Sequence, residues 1–168
     1  SYKNGTYAKV RRLIRAIYRM SQTIKSSDGV GKLKIGIAAA RFNSYITNSM
    51  FDRCHKRLLD LGVTKGNITV ARVPGSFELP YAIKSLIVNN NLNVAIALGA
   101  VIKGQTSHFL FISQAVSQGL STVAIETSTP VIFGVLTTDN AEQALARIEM
   151  AVGYAESAVE MGSKIFNT

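Results

Sequence analysis

The 168-residue sequence has one cysteine, Cys54. No intrachain disulfide can form, and nothing points to an oxidising compartment. Cys54 falls mid-way along a helical pattern, where a small buried hydrophobe is its expected role. No apolar run approaches the length of a membrane span. There is no Walker loop, no G-x-G-x-x-G fingerprint and no Cys/His spacing suited to a metal, so neither a cofactor nor a metal is expected. No membrane partner is expected either, and the cytoplasm is the expected location. Acidic residues are absent before Asp28.

What is present is ordinary globular content, with 47% hydrophobic residues and enough length for one domain with a full core. The net charge of +9 is unevenly placed. Residues 1–34 hold nine Lys/Arg against Asp28 alone, whereas residues 35–168 hold ten against nine acids. The main domain is therefore nearly neutral, which argues against a nucleic-acid-binding core. The basic character belongs to an extension over residues 1–32, and a domain over 33–168 follows it. Within the extension, Tyr7, Val10, Leu13, Ile14, Ile17 and Ile24 recur at roughly helical spacing, with Lys9, Arg11, Arg12, Arg15 and Arg19 between them. This predicts a basic amphipathic helix over 7–25. Docking on the domain is the first expectation; a neighbouring subunit, a membrane surface, nucleic acid or an organellar targeting role stay open. Ser26-Ser27-Asp28-Gly29 reads as a linker.

From residue 33 the pattern alternates. Apolar runs predict strands over 33–40, 67–73, 94–100 and 131–136, with a further short strand over 122–125. Helical periodicity predicts helices over 45–61, stopping at Gly62, over 77–89, from 108, and over 141–165 with a kink near Gly153. Asn43 or Ser44 is placed to cap the first of these, and Thr137 to Asn140 offer caps for the last. Pro80 is tolerable only in a first helical turn. Strands alternating with helices imply a three-layer α/β/α sandwich with a mainly parallel four-stranded sheet. Ligands in such sheets bind beyond the carboxyl ends of the strands. Polar or special residues stand at four strand exits: Arg41-Phe42-Asn43, Gly75-Ser76-Phe77-Glu78, Lys103 to His108, and Thr137-Thr138. Four exits on one rim suggest one site.

The third exit is the most informative. Gly99 to Gly104 ends a buried strand, and from His108 the residues His108, Phe111, Ile112, Ala115, Val116 and Gly119 keep helical spacing. Gln105, Thr106 and Ser107 then sit at a helix N-terminus, where unpaired N–H groups and the dipole favour an anion. His108, in the first turn beside it, is a candidate acid–base group.

Ala40-Arg41-Phe42-Asn43, Val73 to Pro80, Gly99 to His108, and Phe133 to Thr138, followed by Glu142 to Leu145 and Arg147, together resemble the 6,7-dimethyl-8-ribityllumazine synthase family. The likeness covers about 33–147, with the motifs in family order. It implies condensation of 5-amino-6-(D-ribitylamino)uracil with 3,4-dihydroxy-2-butanone 4-phosphate, releasing phosphate and water, in riboflavin biosynthesis. Phe42 would stack on the pyrimidine. Ser76 and Glu78 would take the ribityl hydroxyls, and main-chain groups near Val101 and Ile102 the uracil edge. Asn43, Gly75, Phe77 and Ala100 are further substrate contacts that the resemblance implies. Gln105 and Thr106 would hold the phosphate with Arg147 as cationic partner. His108 would move protons, and Phe133 would reach a neighbour's site in a pentameric ring. The resemblance also allows closure into a 60-subunit shell and association with riboflavin synthase.

Each of these residues has a plainer structural reading: Phe42 in the core, Glu78 as a helix-start carboxylate, Arg147 as a solvated helix residue. The chain also departs from the family pattern. Leu110 stands where an acid is usual after His108-Phe109. Ile148 to Gly153 replaces a longer, lysine-containing stretch. The basic extension is the third departure. The first two keep a second expectation in play, a weakly catalytic shell-forming or ligand-binding relative.

Overall fold

The structure is a computed structural model that describes residues 29–163. The basic helix expected over 7–25, its linker before Gly29 and the last residues of the expected 141–165 helix lie outside that range. The chain enters through a 3-10 turn, Val30–Lys32, in which Val30 is already buried in the core.

Four strands follow: β1 (Ile35–Ala40), β2 (Ile68–Val73), β3 (Val94–Ile102) and β4 (Val131–Thr138). They form one sheet in the order β2-β1-β3-β4, and every pairing is parallel. Residue alternation along the strands splits the core in two. Ile35, Ile37 and Ala39 of β1 with Val94, Ile96 and Leu98 of β3 face one layer, whereas Ala38, Ala95 and Ala97 face the other. Because both faces are covered, β1 reads as an unbroken apolar run rather than an alternating one.

The first layer is α1 (Ser44–Asp60), the short α4 (Ala141–Leu145) and α5 (Met150–Ser163). Ile46, Met50, Cys54 and Leu58 recur every four residues along α1 and are fully buried. Ala151, Ala155 and Val159 do the same on α5, with Ala158 buried beside them. Burying a side chain the size of Ile or Leu stabilises by roughly 1.5–3 kcal/mol, so these stripes fix the layer. Two ion pairs reinforce the layer from α1: Arg53 meets Glu149 just before α5, and Arg57 meets Glu156 within it. The second layer is α2 (Leu79–Asn90) and α3 (His108–Thr127), which cross closely where Gly119 meets Pro80.

Four local expectations are corrected. Residues 122–125 are not a strand: α3 runs unbroken to Thr127, because Val116, Leu120 and Val123 at helical spacing bury against the sheet. Tertiary burial overrides the strand preference of Thr122, Val123 and Ile125. The buried face of α3 is also turned from the expected one, leaving Phe111 68% exposed. The last helix breaks not at Gly153 but over 146–149, where i→i−3 bonds such as Arg147 N to Ala144 O and Met150 N to Arg147 O separate α4 from α5. Gly153 continues the helix, its intrinsic cost of about 1 kcal/mol offset by the buried stripe around it. Finally, β3 and β4 each run two residues beyond their expected ends, to Ile102 and Thr138.

Candidate active site

Three strand exits meet above the carboxyl edge of the sheet. At the exit of β1, Arg41 N donates to Val73 O at 2.8 Å and Phe42 N to Pro74 O at 2.9 Å. Asn43 follows in the left-handed region, with φ 57° and ψ 45°. It stands at the N-cap position of α1 but makes no side-chain cap; its Nδ2 donates instead to Ala100 O at 2.9 Å. At the exit of β2, Ser76–Glu78 form a 3-10 turn. Glu78 Oε2 accepts the Gly75 N–H at 2.9 Å, so the carboxylate does close its own turn, as the plainer reading expected. At the exit of β3, Lys103 N donates to Thr138 O at 2.9 Å, and α3 begins at His108 with Ser107 at its N-cap position. Thr106 Oγ1 accepts weakly from His108 N at 3.4 Å.

These turns enclose an open cleft of about 390 Å³, within the range of small-molecule sites. Phe42 and Asn43 form one wall, and Gly75, Ser76 and Phe77 another. Ala100, Val101 and Ile102, at the end of β3, line the floor. Thr106 and His108 close the end at the helix start. Phe42 is 71% exposed at the mouth and presents a bare aromatic face, so it is not a core residue. Ser76, by contrast, is buried, and its Oγ occupies the space that a side chain on Gly99 would fill. Planar recognition by Phe42, main-chain donors and acceptors along β3, and a helix start beside an imidazole are together suited to a flat, polar-edged ligand carrying an anionic arm.

A sequence profile of the 6,7-dimethyl-8-ribityllumazine synthase family matches residues 32–165. Curated relatives bear the same name. One from Prochlorococcus marinus subsp. pastoris is 47% identical over 143 residues, spanning 80% of this chain and 90% of its own. One from another strain of that species is 43% identical over 160 residues, spanning 90% and 98%. One from Lactiplantibacillus plantarum is 46% identical over 115 residues, spanning 68% and 72%. The chain belongs to the lumazine synthase family.

Seen as a lumazine synthase domain, the single chain gathers most of the expected site but not all of it. Phe42, Asn43, Gly75, Ser76, Phe77, Ala100, Val101, Ile102, Thr106 and His108 line the cleft. Glu78, Gln105, Phe133 and Arg147 do not, Glu78 being turned back onto the Gly75 N–H. Phe133 lies on the edge strand β4 and is 42% exposed. Arg147 sits in the turn between α4 and α5, its Nη1 donating to Gln143 O at 2.9 Å. The fourth exit also stays apart: Thr138 is buried and its Oγ1 donates to Asn140 O within its own turn, while Asn140 caps α4 through Gln143 N. Leu110 is 56% exposed and two residues beyond His108, and positions two apart on a helix do not face each other.

Gly104, Phe109 and Ile112 line the cleft without having been expected there. Ile112 stands four residues after His108, so helical spacing alone put it on the imidazole's side. Phe109 carried no such signal. Among the described residues no group of three His, Cys, Asp or Glu side chains could hold a metal ion, and no helix is long and apolar enough to cross a membrane.

Proposed function

We propose that this chain condenses 5-amino-6-(D-ribitylamino)uracil with 3,4-dihydroxy-2-butanone 4-phosphate to 6,7-dimethyl-8-ribityllumazine. The observation that carries the reading is the cleft itself, which the exposed Phe42 lines together with Ala100, Val101 and Ile102. The pyrimidine stacks on Phe42 and its edge meets that main chain. The ribityl hydroxyls run towards Ser76 and the Glu78 oxygen not engaged by Gly75. The phosphate lies at the start of α3, near Gln105 and Thr106, with Arg147 as counter-charge. The 5-amino group attacks the ketone, water leaves as the imine forms, phosphate is eliminated, and ring closure expels further water. His108, exposed at the end of the cleft, passes protons between these steps. Holding two reactive partners side by side supplies much of the acceleration.

The functional unit in this reading is a homopentamer, singly or closed into a 60-subunit shell. Phe133 and Arg147 lie off the cleft of their own chain, and Phe42, Phe77, Tyr81, Phe111 and Ile125 expose apolar surface that a neighbour would cover. The test is purified protein with both substrates, following phosphate release and the lumazine chromophore, with sedimentation in parallel. Formation of lumazine by pentamers or their multiples is expected. Binding of a ribityl-pyrimidine analogue without turnover would replace the enzyme with the ligand-binding alternative, and a stable monomer at micromolar concentration would sink the shared site.

A further inference from the structure

We infer that the Asn43 side chain is a positioning strut that sets the distance between the Phe42 ring and the main chain of Ala100 to Ile102; the inference rests on the function proposed above. The observation is a gap in the sheet ladder. β1 ends at Ala40, and its register with β3 ends at Ala39 opposite Leu98. β3 continues to Ile102, paired with β4 alone. The Ala100 carbonyl therefore lies beyond the last paired residues of β1, where a buried carbonyl still needs a donor. Asn43 Nδ2 supplies it at 2.9 Å. Because the partner is a carbonyl oxygen, the amide must present its nitrogen, and its orientation is fixed.

The rest of the turn is arranged around that bond. Asn43 adopts φ 57°, a conformation that Asn tolerates better than most residues. Its own carbonyl accepts from Ile46 N at 2.9 Å and Thr47 N at 3.1 Å, starting α1. On the β2 side the turn is held by the Arg41 and Phe42 amides. On the β3 side the turn is tied by the Asn43 amide. Without it the turn hangs on the β2-side bonds alone, so the Phe42 amide opens from Pro74 O more often and the ring is no longer referenced to β3, the strand that carries the opposite half of the pyrimidine contact. The side chain acts through Ala100, not on the reacting atoms.

Asn43→Asp separates this role from a merely structural one. Aspartate keeps the size, tolerates the same φ and suits a helix N-terminus, but sets an acceptor against the Ala100 carbonyl. Asn43→Gly, which keeps the backbone conformation and removes the side chain, is the second variant. In the ligand-free protein, hydrogen exchange at the Phe42 amide should quicken about tenfold in Asn43→Asp, the loss of one hydrogen bond. KM for the ribitylaminouracil should rise about tenfold in both variants, KM for the butanone phosphate should stay within about twofold, and Asn43→Asp should stay folded, melting a few degrees below the parent. Faster exchange with unchanged KM would overturn the strut. A raised KM with unchanged exchange would also overturn it, by making Asn43 a direct ligand contact. A parent protein that neither turns over nor binds a ribityl-pyrimidine would overturn the proposed function and this inference together, and is distinguished from the other results by the parent alone.

Discussion

Gly99→Ala tests how the floor of the cleft is tied to the core. A Cβ on Gly99 would stand 2.5 Å from Ser76 Oγ and 3.1 Å from Leu79 Cδ1. Leu79 is fully buried, so its methyl has little room to retreat. Overfilling a packed site costs typically about 1–3 kcal/mol. The closer contact is with the serine hydroxyl, and Ser76→Ala removes that atom while leaving Ser76 Cβ at an ordinary 3.5 Å. The Leu79 contact remains in either background. Gly99→Ala should therefore cost about 2 kcal/mol in the parent and about 1 kcal/mol in the Ser76→Ala background, a coupling near 1 kcal/mol. The assay is a urea double-mutant cycle at one fixed protein concentration, since assembly adds to apparent stability. The parent single mutant should also lose ribityl-pyrimidine affinity, because the escape open to Ser76 is to rotate its hydroxyl. Equal costs in the two backgrounds would refute the reasoning, because they would mean that the hydroxyl and the glycine do not share this space.

Three further outcomes are expected. His108→Ala should lower kcat by about 100-fold, the small end of acid–base assistance, and leave the melting temperature unchanged, because the side chain is exposed and supports no core; steady-state kinetics beside thermal melting checks it. Gly134→Ala should destabilise by roughly 3 kcal/mol, the upper end of overpacking, because its Cβ would meet the Ala97 main-chain oxygen at 2.6 Å in a paired strand that cannot rotate aside; urea unfolding reads this directly. Cys54, on the buried face of α1, has its thiol pushed up from 9.0 to about 12 by desolvation. The folded state thus holds this proton more tightly than the unfolded chain, so the contribution is full below about pH 9 and is lost as pH rises towards about 12. Unfolding free energy should fall over that window by up to about 1.4 kcal/mol per pH unit. Cys54→Ala should flatten the slope, leaving the weaker trend in the same direction from Tyr154, which burial also shifts upwards.

The layers were legible in the sequence because parallel strands buried on both faces read as unbroken apolar runs, and because Pro74, Gly75, Gly104 and Asn140 punctuate their ends. Helical periodicity marked the span of α1 and the region that holds α5, and placed Cys54 on a buried face. What spacing could not decide was a contest between local preference and burial. Thr122 to Ile125 has strand-like residues, but Val123 is seven residues after Val116 and completes a helical stripe against the sheet. Gly153 looked like the weak point of the last helix, yet the break fell over 146–149, where Ile148 turns in to bury. Neither outcome is visible until the sheet is present to pack against.

The site divides along the same line. Residues at the exits of β1, β2 and β3 converge, because β1 and β3 are adjacent central strands and β2 pairs with β1. The exit of β4 does not join them. β4 is an edge strand beyond β3, and its exit, though tied to Lys103 through Thr138 O and Asp139, keeps its other polar groups local: Thr138 Oγ1 donates to Asn140 O, Asn140 Oδ1 accepts from Gln143 N, and Gln143 Oε1 accepts from Asp139 N. A rule that sends every strand exit to one rim thus overcounts by the edge strand. The Asn43 amide shows the converse failure. Its residue type at a helix start predicts a cap, yet the stronger demand came from an unpaired carbonyl 57 residues away. An Asn at the start of a helix beside a strand end has two candidate acceptors of its N–H or donors to its oxygen, one local and one across the sheet. Only the strand register, with β1 stopping short of Ala100, decides between them.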